Sequence, residues 1–353
     1  VRTIGRASVA GLGVALPPSA VQDDLWEGFF DRHYAAGGRR GLAKRIFANA
    51  GVRTRQAAVS PLLEDVSDWS TERRMRRYQV EAVPLGKEAV GRALTDAGVA
   101  ADELGLLAVC SCTGYATPGL DILLARDMGM SPRLQRLFVG HMGCYAALPG
   151  LGTVADFVAA RGRPALLLCA ELTSLHLQPP DARADIQQIV SHALFSDAAA
   201  AVVLTPGTSS GYAVSDVAAL TDTTTAGHMT WDVTDLGFRM GLSPQVPDVL
   251  SVHVRDLVDD LLSRNGLAVV DVDGWAIHPG GPRILDVVQE RLELPDDQLA
   301  ASRGVLSAYG NCSSPTVLLV LEELRRRPEP PQRVVMLAFG PGLTLYGVLL
   351  ERA

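Results

Sequence analysis

Three residues far apart in the chain have the chemistry of a nucleophile, a proton carrier and a hydrogen-bond donor. Cys144 stands where the turn Gly140-His141-Met142-Gly143 gives way to the small, apolar start of a helix expected from Cys144 to about Arg161. Backbone N–H groups and the positive dipole end at such a start stabilise a thiolate, the nucleophilic form of cysteine. The position equally suits a core residue, because free cysteine is among the most buried residue types and its neighbours here are alanines. His278 sits where the apolar strand Trp275–Ile277 runs into His278-Pro279-Gly280-Gly281-Pro282, a rigid scaffold feeding a loop. A capping or solvent-exposed histidine is the plain alternative. Asn311 lies in Tyr309-Gly310-Asn311-Cys312-Ser313-Ser314, where an ordinary turn or cap asparagine is the commoner role. Brought together, a thiolate, an imidazole and a carboxamide could take an acyl group from a thioester and stabilise an oxyanion beside it.

The rest of the chain must position them. At 353 residues, 48% hydrophobic and 20% charged, with mean hydropathy +0.17, it has material for two units or one duplicated unit and little tendency to disorder. A net charge of −7 argues against a nucleic-acid partner. The five cysteines (Cys110, Cys112, Cys144, Cys169, Cys312) are odd in number and show neither C-x-x-C pairs nor metal-ligand spacing; a reducing, cytoplasmic setting is expected, with no metal. Val1–Leu16 faintly resembles a signal peptide but reads better as a first strand that stops at Pro17-Pro18. No apolar run is taken as long enough to span a bilayer, so no membrane association is expected.

Strand and helix signals alternate, which predicts an α/β protein. Helical pieces are expected at Val21–Tyr34 and Leu42–Asn49, a basic helix at Thr71–Ala97, a buried strand at Leu104–Cys112, a short strand at Leu137–Val139, a continuous apolar strand at Ala165–Glu171 and an apolar run at Ala198–Leu204. Thr205-Pro206-Gly207-Thr208-Ser209-Ser210-Gly211 is the clearest linker and divides the chain into halves 1–206 and 207–353. The second half offers strands near Tyr212–Leu220 and Thr230–Val233, a helix at Asp248–Ser263, a helix Thr316–Arg326 capped by Ser313-Ser314-Pro315, and a final strand pair, Arg333–Phe339 and Leu343–Leu349. A long helix before a pair of apolar strands in each half points to an internal duplication.

Six pieces in order carry a resemblance that covers nearly the whole chain: Gly143-Cys144, Ala193-Leu194-Phe195 before an aspartate, Gly237-Phe238, His278-Pro279-Gly280-Gly281-Pro282, Gly310-Asn311-Cys312-Ser313-Ser314, and Phe339-Gly340-Pro341-Gly342. Each is weak alone and together they are specific. The chain resembles the type III polyketide synthases, the chalcone-synthase-like members of the thiolase superfamily. The resemblance implies a thiolase-like fold layered αβαβα from two duplicated halves, and a cytoplasmic homodimer with no cofactor, acting on acyl-CoA and malonyl-CoA. Cys144 would be loaded with an acyl starter as an ion pair with protonated His278. Decarboxylation of malonyl-CoA would then supply a carbanion whose enolate oxygen His278 and Asn311 stabilise, and the extended chain would cyclise to an aromatic or pyrone product.

By the same carry-over, Phe195 and Phe238 match two gatekeepers between a coenzyme A tunnel and the reaction cavity, and core packing is their alternative. Cys112, Thr117, His176 and Ser313 match the substrate pocket; Thr117 would reach the neighbouring subunit and His176 would form a titratable wall. Lys44, Arg45, Arg53 and Arg283 match phosphate-contacting positions, with Arg39, Arg40 and Arg55 in the same region, while Arg73, Arg74, Arg76 and Arg77 read as surface. Ser196, Ala198 and Ala338 replace glycines of the family pattern, which implies either ordinary backbone angles there or a differently shaped cavity. Two other readings stand beside this one: a ketoacyl synthase III-like enzyme using acyl-carrier-protein substrates, and a non-catalytic partner resembling chain-length factors.

Overall fold

The computed structural model describes residues 6–35, 38–179, 186–207 and 211–352; part of the N-terminal reading (residues 1–5) and of the linker (208–210) lies outside them. The alternating strands form one mixed sheet, in the order Gly274–Ile277, Arg333–Gly340, Thr344–Arg352, Tyr212–Thr221, Ala7–Ala15, Ala198–Pro206, Ala165–Glu171, Leu106–Cys110 and Gln135–Val139. Tyr212–Thr221 and Ala7–Ala15 meet at a short seam through Ser8–Ala213 and Val9–Tyr212. Outward from that seam both halves repeat one sequence of pairings: antiparallel, antiparallel, parallel. The duplication is therefore written in strand order and sense.

Three buried cores separate the layers, and the period of two along each strand sends alternate residues to different cores. Leu167 and Cys169, with Val334 and Met336, face a middle layer formed by the helices Ala147–Arg161 and Thr316–Arg325. Leu166 and Leu168 face the opposite way, onto Ala89, Val90 and Ala93 of the helix Thr71–Ala97. Val335 and Leu337 likewise face Leu250, Val254 and Leu285 of the helices Val246–Ser263 and Pro282–Leu292. The result is αβαβα, and each fully buried Leu or Val adds roughly 1.5–3 kcal/mol of burial.

Gly11 and Gly13 explain how closely the outer layer docks. A Cβ there would lie 2.4 Å from the Ala93 carbonyl oxygen and 2.2 Å from that of Ala89, so the helix rests directly on the strand backbone. The stretch Gly143–Arg161 is, by length and composition, apolar enough to cross a membrane, contrary to the sequence reading. Its buried face, with Leu148, Leu151, Val154 and Val158, packs between the two half-sheets, while Thr153 and Asp156 are exposed, as in a core helix of a folded domain. Arg74 is also a correction, since it is wholly buried rather than at the surface. It shares a helical stripe with Tyr78, Ala82, Leu85 and Ala89, and donates to the carbonyls of Ser67, Trp69, Leu175 and Leu177.

Candidate active site

Cys144 lies not in the first turn of the long helix but in a 3₁₀ turn, Gly143–Tyr145, that leads into Ala147–Arg161. Gly143 takes φ 72, which swings the turn so that Cys144 faces a cavity of about 820 Å³. His278 and Asn311 line the same cavity, so the three residues are brought into one chamber. All three are buried.

Each partner is held by backbone. The strand Gly274–Ile277 pairs in parallel with Arg333–Gly340, and its continuation His278 donates its N–H to Leu337 O at 2.8 Å. Neither ring nitrogen of His278 has a hydrogen-bond partner, and both are buried. Asn311 follows Gly310, which has φ 71 and ends the helix Ala300–Tyr309. Its Oδ1 accepts from Ser313 N at 2.8 Å, which orients the amide and leaves Nδ2 as the free donor. Ser313 was expected to cap the next helix; instead it adopts φ 58 and its Oγ donates to Cys144 Sγ at 3.5 Å. The helix Thr316–Arg325 has no side-chain cap. A non-glycine residue in left-handed backbone beside a nucleophile is strain spent at a reactive place.

Electrostatics qualify the expected ion pair. Burial pushes the Cys144 thiol up to about 11; the Ser313 hydroxyl opposes that shift and the Glu171 charge adds to it. Burial alone takes His278 down to about 3. Desolvation thus favours neutral thiol and neutral imidazole in the empty chamber, and a thiolate–imidazolium pair must recover that cost through mutual attraction. Glu171 is not a spare base, because Cys112 N, Thr113 N, Thr113 Oγ1 and Ser314 Oγ all donate to its carboxylate.

Phe195 borders the chamber and two smaller cavities behind it. One of these holds Cys112 and Ser313 beside Cys144, and the other holds His176 and Phe238. Phe238 does not line the chamber itself: it stacks on His176 at 4.6 Å. His176 is no titratable wall. Its Nε2 donates to Thr113 O at 2.7 Å, its Nδ1 accepts from Phe238 N at 2.9 Å, and burial lowers it to about 3. Thr117 is exposed and lines none of these three cavities.

Among the basic candidates, Arg283 lines the chamber together with Arg39 and with Arg239, which the sequence reading did not single out. Lys44 and Arg45 stand exposed on the helix Arg40–Ala48, and Arg53 is exposed with its Nε on Ser307 Oγ at 2.7 Å. Arg40 pairs with Asp31 at 2.6 Å. Arg55 is buried, and belongs to the scaffold rather than to a phosphate-contacting surface. Sequence reasoning also missed Met229, Trp231 and Met240, whose apolar types gave no signal distinct from core. Ser196, Ala198 and Ala338 keep ordinary negative φ: the non-glycine residues with positive φ are His141, Glu293 and Ser313 among the described residues.

The five layers define a thiolase-like architecture with a thiol-bearing chamber in it. Residues 1–208 match the family model "Chalcone and stilbene synthases, N-terminal domain", and residues 214–353 match its C-terminal counterpart. A 1,3,6,8-tetrahydroxynaphthalene synthase of Streptomyces peucetius subsp. caesius is 37% identical over 98% of this chain and 93% of its own. An alpha-pyrone synthesis polyketide synthase-like protein of Mycobacterium tuberculosis is 33% identical over 98% and 91%. Among solved structures, PKS-I from the brown alga Ectocarpus siliculosus superposes with TM-score 0.93 at 28% identity, covering both chains fully. The C-terminal type III polyketide synthase domain of Steely1 from Dictyostelium gives 0.91 at 25% identity, over 98% of this chain and 99% of its own. The chain belongs to the chalcone and stilbene synthase family, the type III polyketide synthases, and is an acyltransferase that forms carbon–carbon bonds.

Proposed function

We propose that this synthase loads an acyl-CoA starter on Cys144, extends it with malonyl-CoA, and releases an aromatic or pyrone polyketide. One observation supports this reading above the others: a buried thiol shares a chamber with an imidazole whose two nitrogens are unpartnered and a carboxamide with a free donor. Arg39, Arg239 and Arg283 along the chamber are suited to the phosphates of coenzyme A. His278 takes the Cys144 proton as sulfur attacks the starter thioester, and the thiolate of coenzyme A departs. Malonyl-CoA then loses CO2, and the enolate oxygen accepts hydrogen bonds from His278 and from Asn311 Nδ2, donors fixed before the charge develops. The carbanion attacks the Cys144 thioester, forming the new carbon–carbon bond and freeing the sulfur for the next cycle. Phe195 shields the carbanion and thioester from water.

Relatives named for a naphthalene and for alpha-pyrones indicate the range of ring products. The working unit is a homodimer: the edge strand Gln135–Val139 exposes Leu137 and Phe138, and the segment Ala116–Gly119 that carries Thr117 lies beside Phe138. Each half, 1–206 and 207–353, contributes one side of the site, and five free thiols suit a reducing cytoplasm. The test is product analysis by mass spectrometry with a panel of acyl-CoA starters plus malonyl-CoA. Extension only with carrier-bound malonate, or with nothing in the panel, would replace the reading by one of the two alternatives above.

A further inference from the structure

Arg55 is a buried cation with no carboxylate in hydrogen-bond contact among the described residues. Its guanidinium carbon lies 5.4 Å and 5.7 Å from the ring centroids of Phe30 and Phe47, and its Nη1 donates to the carbonyls of His192 and, at 3.2 Å, Phe195. An aliphatic side chain would fill that aromatic nest without the cost of desolvating a charge. The arginine therefore has to be explained by the two carbonyls it holds.

Those carbonyls belong to the segment that connects two parts of the site. Phe195 and Asn311 form a parallel bridge: Ser196 N donates to Asn311 O at 2.9 Å, and Asn311 N donates to Leu194 O at 2.8 Å. On the far side, Gln56 N donates to Ser196 Oγ at 2.8 Å, and Asp197 N donates to Gln56 O at 3.0 Å. The stem of Arg55 packs at the start of Asn311's turn, where a Cβ on Gly310 would lie 3.4 Å from Arg55 Cγ. The gate ring and the carboxamide thus ride on one backbone unit, and Arg55 is one of the side chains that pin it, beside Gln22, whose Nε2 donates to Ala193 O at 2.9 Å, and Thr173, whose Oγ1 donates to Ser196 O at 2.9 Å. We propose that Arg55 is a positioning residue for the reaction, setting Phe195 and Asn311 together relative to Cys144. This rests on the roles given to those two residues above.

The test uses the full chain with Arg55→Lys and Arg55→Met. Starter acylation of Cys144 is read by intact mass, and malonyl-CoA consumption by steady-state kinetics. Acylation should persist in both variants, while kcat falls about 10- to 100-fold in Arg55→Met and less in Arg55→Lys, with KM for malonyl-CoA within about threefold of wild type. A raised KM at unchanged kcat would overturn the inference and return Arg55 to a phosphate contact. A lowered melting temperature with kcat and KM unchanged would overturn it in favour of a purely structural role. Arg55→Lys carries the test if Arg55→Met does not fold. Absence of acylation in wild type would overturn the reading of Cys144 itself, and this inference with it.

Discussion

Replacing Ser313 by alanine should make Cys144 harder to ionise. Burial holds the thiol up near 11, and the Ser313 hydroxyl, 3.5 Å from the sulfur, is the side chain that works against it. A hydrogen bond to a charged acceptor contributes about 1.5–3 kcal/mol at good geometry; this long sulfur contact merits about 1 kcal/mol. At about 1.4 kcal/mol per pKa unit, that amounts to a shift of about 0.7 unit upward and a roughly fivefold smaller thiolate fraction. A thiol loses its proton as pH rises, so the variant's curve should lie to the alkaline side of wild type. The assay is the second-order rate of Cys144 alkylation by iodoacetamide across pH, followed by intact mass with Cys144→Ala as the control for other thiols. Below the thiol pKa the variant should run about fivefold slower at every pH, and the curves should converge where both thiols are ionised. Alanine meets the same φ of 58 that serine tolerates, so the fold is little disturbed. Superimposable profiles, or a shift toward acid, would refute the electrostatic account of this site.

Phe195→Ala should join the chamber to the cavities behind it and admit water, raising CO2 released per carbon–carbon bond formed; an unchanged ratio removes the gate role. Gly237→Ala places a Cβ 2.6 Å from Arg74 Cδ at φ 98, and should cost about 2–4 kcal/mol in a urea titration, where wild-type stability would be the contrary result. Burial depresses His33 to about 4 and both His176 and His278 to about 3. The unfolded chain takes those protons first, near 6.5, so stability is full above that pH and declines as pH falls toward the folded-state values. His176→Gln should flatten that decline in urea midpoints measured on either side of pH 6; an identical slope would clear His176 of any part in it.

The scaffold was legible where one pattern dominated. Ala165–Glu171 is a strand with the bounds its unbroken apolar run predicts, and Thr71–Ala97 is a helix from its N-cap Ser70 to its C-terminal Gly98. Val21–Tyr34 was harder: it is split into Gln22–Leu25, a π turn at Trp26–Phe30 and Asp31–Ala35, which turns Trp26, Phe29 and Phe30 inward together. No local signal announces that widening. Gly237–Leu242 went unread as a strand because its partner Met229–Thr234 supplies the pairing, not its own alternation. In the site, Cys144, His278 and Asn311 were readable because each interrupts a regular element with a turn. Arg55 and Arg74 were not, since sequence alone assigns a guanidinium to solvent and only the fold shows which carbonyls it satisfies. His176 lines a small cavity behind Phe195, and its two hydrogen bonds were not legible because both come from segments far away in sequence.

The claim on which the account turns is that one sulfur carries the growing chain. Intact-mass measurement of the purified protein after incubation with an acyl-CoA starter tests it most directly. The account predicts a single acyl adduct that maps to Cys144, is absent in Cys144→Ala, and is consumed when malonyl-CoA is added. An adduct that persists in Cys144→Ala, or that maps to Cys112 instead, would contradict it.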